Sequence, residues 1–369
     1  MQKFLGLIIL LAVAAAAAFF MLGKEKVASL SGGGSSPVPQ ENLITVTGQA
    51  GSEKIAFLQS AKVSELLAAQ GLKVEVKKTG SVEMVQEAAS NDDFLWPASQ
   101  LNVESFKNSA SGTRLQQSAD IFNSPIVLYS WDIVTDALIK AGIVQHREGV
   151  NYIVDLPRLL EHVMAKKQWK EVGLAQLYGS MIIRTTDPAR SNSGNMFAAL
   201  IANTLNGGEV VTAESADQVL PQVKDFYARL GHMEDSSAVL FEKFLQQGVG
   251  AYPMIVGYEN QLVEYSLQHK EHLPLLKSKV RILYPVPTVW ASHPLIALSA
   301  NGKKLLAALK EPKIQKLAWE QHGFRSGLMG VENDPEVLEV IGLPKSIDAV
   351  MPMPGAAAMD KITRQLSSF

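Results

Sequence analysis

From residue 42 onward, short β-rich runs alternate with helical stretches. No other feature constrains the fold as tightly, because this is the pattern of a layered α/β architecture. Strands are expected at 42–47 (NLITVT), 73–77 (KVEVK), 126–129, 180–184 (SMIIR), 253–256, 282–284 and 295–298. Helices are expected at 55–67, 82–89, 195–205, 261–268, 302–309 and 313–322. Asn206, Gly207 and Gly208 supply a helix stop. The tail from Leu343 is rich in Pro, Gly and Ala and is expected to wrap the surface; no internal repeat is visible.

The start of the chain is of another kind. Lys3 precedes an unbroken apolar run over residues 4–22, closed by Lys24 and Lys26. As a helix this run would span roughly 28 Å, close to the hydrocarbon thickness of a bilayer. An uncleaved signal-anchor and a cleaved signal peptide both fit it. Val27 and Ser29 suit the small-residue positions before a cleavage site. Residues 29–41, rich in Gly, Ser and Pro, read as a flexible linker whose reach is about 19 Å. The body is thus expected on the extracytoplasmic face of the membrane, anchored, or periplasmic or secreted if residues 1–28 are removed.

Composition excludes several classes. Net charge is −2, which gives no footprint for nucleic acid. The absence of cysteine rules out disulfides, thiolate metal sites, a cysteine nucleophile and a lipid-anchored cysteine. The GxSxG, SxxK, Walker and HExxH patterns are missing, so no enzyme, cofactor or metal site is expected. His269 and His272, three apart among charged residues, read as a solvated helix face.

Four strand-to-helix junctions carry hydroxyl or glycine residues where the helix begins: Gly51-Ser52-Glu53, Thr79-Gly80-Ser81, Pro97-Ala98-Ser99 and Ser191-Asn192-Ser193-Gly194. Serine there caps free backbone N–H groups, and the same groups with the helix dipole attract anions. Ligands of open α/β sheets sit beyond the carboxyl ends of the strands, where these loops lie. Ser52, Ser81, Ser99, Ser191, Asn192, Ser193 and Gly194 are therefore candidate ligand contacts. Asp187 could receive a cationic group or cap a turn, and Arg190 could pair an anion or lie in solvent. Tyr258 follows an expected strand and could meet the same ligand, whereas Glu259 would favour the next helix start by its charge. Trp131, Trp290 and Trp319 are expected to pack, and His293 is a lesser cleft candidate.

The stretches SPIVLYSWDIV (124–134), TDPARSNSG (186–194), GAYPMIVGYENQLVEY (250–265), RILYPVPTVWASHPLIAL (281–298) and IQKLAWEQHGFRSG (314–327), in that order, make the chain resemble the bacterial extracellular solute-binding proteins of the type 2 periplasmic-binding class. The resemblance covers most of the chain from residue 42. It implies two α/β lobes, 42–128 plus 285–369 and 129–284, joined by crossovers near 124–131 and 284–293. It also implies a small polar solute, such as an oxyanion or other acid, held between the lobes and delivered to a membrane transporter permease. An envelope-anchored sensing or assembly component of the same fold, binding a protein partner, is the alternative.

Overall fold

A computed structural model describes residues 43–367; the apolar run 4–22 and the linker 29–41 lie outside the described residues. Among the described residues no helix is long and apolar enough to cross a membrane.

The strands are β1 (Ile44–Ala50), β2 (Leu72–Lys78), β3 (Phe94–Trp96), β4 (Gln117–Asp120), β5 (Phe122–Trp131), β6 (Val144–Arg147), β7 (Val150–Ile153), β8 (Met254–Tyr258), β9 (Val280–Pro285), β10 (Trp290–Ala291), β11 (Pro294–Ala297) and β12 (Arg325–Ser326). The α-helices are α1 (Ser52–Gln59), α2 (Ala61–Ala68), α3 (Ser81–Gln86), α4 (Gln100–Lys107), α5 (Asp132–Lys140), α6 (Leu156–Met164), α7 (Asn192–Leu205), α8 (Ala216–Ala228), α9 (Ser237–Ala251), α10 (Asn260–Gln268), α11 (Leu273–Lys279), α12 (Ala300–Leu309), α13 (Pro312–His322) and α14 (Ala356–Leu366).

Two sheets organise them. The first runs β2-β1-β3-β11-β4, with β1 parallel to β2 and β3, and β11 antiparallel to its neighbours. The second runs β10-β5-β9-β7-β6, with β8 and β12 also paired to β5. The chain passes from the first sheet to the second between β4 and β5 and returns through β10 to β11, so both expected crossovers are present.

Each sheet has its own apolar core. Val46, Phe57, Trp96, Phe122, Leu295, Leu305 and Phe324 pack around the first. Beside the second, α7 is buried on nearly every side from Met196 to Ala202. A fully buried Phe, Leu or Ile contributes about 1.5–3 kcal/mol, and α7 holds Phe197, Leu200 and Ile201 with no exposure. Gly207 and Gly208 end it in the left-handed region, as expected.

Three expectations are corrected. Residues 180–184 form no strand; they make isolated bridges, Ser180 to Gln168 and Arg184 to Ile255. β5 holds one edge of β8, and this segment meets the other edge at one residue only, through Arg184 N–H to Met254 O and Val256 N–H to Arg184 O. The single helix at 55–67 is two, because Ser60 is extended (φ −62°, ψ 131°) and lies between them as the C-cap of α1 and the N-cap of α2. The tail does not merely coat the surface. Leu343 and Met351 are buried, and α14 packs on α7 and α8 through Ala358, Met359, Ile362 and Leu366.

Candidate functional site

The β1–α1 junction places a charged pair deep in the protein. Lys54 is wholly buried on the second residue pair of α1, and its ammonium donates to the Glu53 carboxylate and, at 3.2 Å, to His293 Nδ1. His293 arrives from the return crossover just before β11, also wholly buried, with φ 37°. Acceptance at Nδ1 puts the imidazole proton on Nε2, which has no partner. Burial alone would raise the Glu53 carboxyl; the positive charge of Lys54 and the nearby His293 more than offset it and hold it at about 2. Burial, with Lys54 beside it, pushes His293 down to about 3, so the ring is neutral. Burial also lowers Lys54, against the pull of Glu53.

The second lobe meets this pair through Tyr258. Its ring lies 6.0 Å from that of His293, centroid to centroid, and its hydroxyl accepts from Asn192 Nδ2 at 3.1 Å. Burial and the Glu53 charge raise the phenol well above its usual value, so it stays protonated. At the start of α7 the hydroxyls satisfy one another: Thr186 Oγ1 and Ser193 Oγ are 2.8 Å apart, Ser191 Oγ and Ser193 Oγ 3.1 Å. Gly194 is set by packing, since a Cβ there would stand 2.2 Å from the Thr186 carbonyl oxygen.

Asn192, Ser191, Ser193 and Tyr258 thus share one polar cluster that reaches Glu53. Other sequence candidates are engaged locally. Ser99 caps α4 by accepting from Leu101 N–H at 3.2 Å, and Ser81 accepts from Ala98 N–H at 3.2 Å. Asp187 accepts from Ala189 N–H at 2.8 Å, and Arg190 pairs with Asp235 at 3.0 Å. Ser52 is the first residue of α1 rather than its cap, and its hydroxyl donates to Glu53 Oε2 at 3.5 Å. The loops still face each other across the lobes, for a Cβ on Gly80 would lie 3.5 Å from Arg190 O.

Ser52 opens instead onto a cleft of about 250 Å³. α1 contributes Ser52, Glu53 and Ala56; α9 contributes Ser237, Ala238, Phe241 and Glu242; α10 contributes Asn260, Gln261, Glu264, Tyr265 and Gln268. Lys54, Glu242, Asn260, Glu264 and Tyr265 were beyond sequence reasoning. Nothing local marks a lysine as buried, and the cleft joins segments about two hundred positions apart.

Glu259 departs from its expected role. Fully buried, it binds Arg325 through two contacts, 2.7 Å to Nε and 2.9 Å to Nη2, and accepts from the Tyr284 hydroxyl at 2.6 Å. Arg325 also donates to the carbonyls of Pro344 and Lys345, tying the tail to the crossovers. Trp131 and Trp319 pack as expected, each donating its indole N–H to a carbonyl, Tyr252 O and Asp334 O. On the protein's surface the ligating atoms of His269, Glu271 and His272 fall within 4.8 Å of one another, with His272 Nδ1 held by the Tyr265 hydroxyl at 2.9 Å.

No family model matches the chain, and no curated protein sequence matches it. Solved structures do. A periplasmic thiamin binding protein superposes with TM-score 0.57 at 11% identity, covering 90% of this chain and 98% of that one. The apo ferric ion-binding protein A of Pasteurella haemolytica gives 0.53 at 14%, covering 87% and 95%. AfuA of Actinobacillus pleuropneumoniae, with fructose-6-phosphate bound, gives 0.53 at 12%, covering 88% and 97%. At such identities the likeness speaks for the fold, and the fold is the two-lobed one of the type 2 periplasmic binding proteins. That is the fold implied by the sequence resemblance.

Proposed function

We propose that the protein is an extracytoplasmic solute-binding protein that captures a small polar solute between its lobes, 42–128 plus 285–369 and 129–284, and presents it to a membrane transporter. The observation that carries this reading is the 250 Å³ cleft walled by α1 on one side and by α9 and α10 on the other. A ligand touching both walls of such a cleft would favour the closed arrangement of the two lobes. Residues 1–28 would deliver the body across the membrane and, if retained, tether it there through the linker. Binding without turnover is the expected behaviour of this fold.

A thermal-shift screen of the purified protein against oxyanions, organic acids, amino acids, amines and sugars tests the reading. A ligand at a hundred times its dissociation constant adds about 2.7 kcal/mol to stability, a rise of several degrees. A rise confined to one chemical class is the expected result. No rise with any class contradicts solute capture and favours a protein partner on the same fold.

A further inference from the structure

In the sequence His269 and His272 lie three apart on an expected helix face, open to solvent. The fold changes their setting. α10 ends at Gln268, and His269, with φ −126° and ψ 65°, leaves the helical region. Lys270, Glu271 and His272 then form one 3₁₀ turn, in which the His272 N–H donates to His269 O at 3.0 Å, and Pro274 sits in the first turn of α11. In a continuous α-helix, side chains three apart diverge by about 60°. In a 3₁₀ turn they eclipse. The break therefore brings the two imidazoles alongside each other, ring centroids 5.5 Å apart. Glu271 sets a carboxylate oxygen 3.5 Å from His269 Nδ1.

Tyr265 holds the group from behind. Its hydroxyl lies 2.9 Å from His272 Nδ1, and its ring centroid lies 4.4 Å from that of His269. A hydrogen bond to one imidazole nitrogen fixes the ring and leaves the other, here Nε2, as the donor to an ion. Among the described residues Glu271 pairs with no lysine or arginine, so its charge is free to meet a cation. The C-terminal end of α10 adds a dipole that favours positive charge. Glu271 and His272 are exposed and His269 is half-exposed, so an ion reaches all three from solvent.

We propose that His269, Glu271 and His272 bind a divalent transition-metal ion at the end of α10. Two imidazoles and one carboxylate make a mixed nitrogen and oxygen set. Zinc, nickel and copper(II) take such donors, whereas magnesium and calcium take oxygen alone. Water would fill the remaining coordination positions. None of the three residues lines the cleft, so the ion is not the captured solute, and the site stands whether or not a solute binds. Tyr265 does line the cleft, and a bound ion would steady that side chain through His272.

Isothermal titration calorimetry of the purified full-length protein, free of any polyhistidine tag, with zinc, nickel, copper(II), magnesium and calcium ions tests this. The expected result is one equivalent of zinc bound, with magnesium and calcium at least a hundredfold weaker. His269→Ala and His272→Ala should each weaken zinc at least tenfold. Both side chains reach the surface, so neither change should move the melting temperature of the metal-free protein. Electron paramagnetic resonance of the copper(II) form gives a readout of ligation itself: coupling to two imidazoles in the unaltered protein and to one in either histidine variant. Unchanged zinc affinity in both histidine variants overturns the site, as does a failure of zinc, nickel and copper(II) all to bind. Magnesium or calcium binding as tightly as zinc overturns the class of ion.

Discussion

Lys54 and Arg325 are buried cations near the contact of the two sheets, each answered by a glutamate. Removing one partner of such a pair strands the other charge, which costs about 3–5 kcal/mol, whereas removing both can be close to neutral. Arg325→Met should therefore lower the urea midpoint strongly, and Glu259→Gln with Arg325→Met should recover much of the loss. The Glu53 cluster sets the acid response. Glu53 is held at about 2 against an ordinary 4.5, so its stabilisation is full above 4.5 and is lost as pH falls toward 2. His293, at about 3 against 6.5, is neutral in the fold, and the unfolded chain takes up its proton first; that contribution fades as pH falls from 6.5 toward 3. Stability should thus decline steadily below about pH 6.5. His293→Asn, which tolerates the left-handed backbone, should flatten the upper part of that decline and leave the lower part. Equilibrium unfolding followed from pH 7 to 3 reads both. In the sequence Glu53 and Lys54 are two neighbouring charges on an apparent helix surface, and their burial follows from what the crossover lays over them.

At the scale of elements, the donor-rich starts of the helices are the most legible part of the chain. Strand alternation and turn chemistry are local, so β1, β2, β8 and α7 lie where the residue pattern puts them. The meaning of the hydroxyls is not local. Ser193 spends its hydroxyl on Thr186 and Ser191, and Gly194 lets α7 lie against the Thr186 backbone. Gly194→Ala should consequently destabilise the fold by about 1–3 kcal/mol through overpacking, measurable by chemical denaturation. Residues 180–184 read as a strand because their side chains are apolar. Whether they pair depends on β8: β5 takes one of its edges over five residues, and the segment reaches the other edge at Arg184 alone.

For the whole molecule, the order of elements and both crossovers are legible from residue 42 on, while the cleft is not. Its walls come from segments near 52, 240 and 262, and only the return of the chain to the first sheet brings them together. The same distance explains why the sequence suggests an oxyanion. Helix starts are visible locally, but the carboxylates of Glu242 and Glu264 join them only in the folded chain. The central claim is that a solute binds between α1 and the α9–α10 pair and is embraced by both lobes. Hydrogen exchange of the protein with and without the solute found in the screen tests it most directly. The account predicts slower exchange at the starts of α1, α9 and α10 together. Protection confined to one wall of the cleft, or centred instead on the separate cavity of about 320 Å³ beside Arg147, Tyr152 and Asp348, would contradict it.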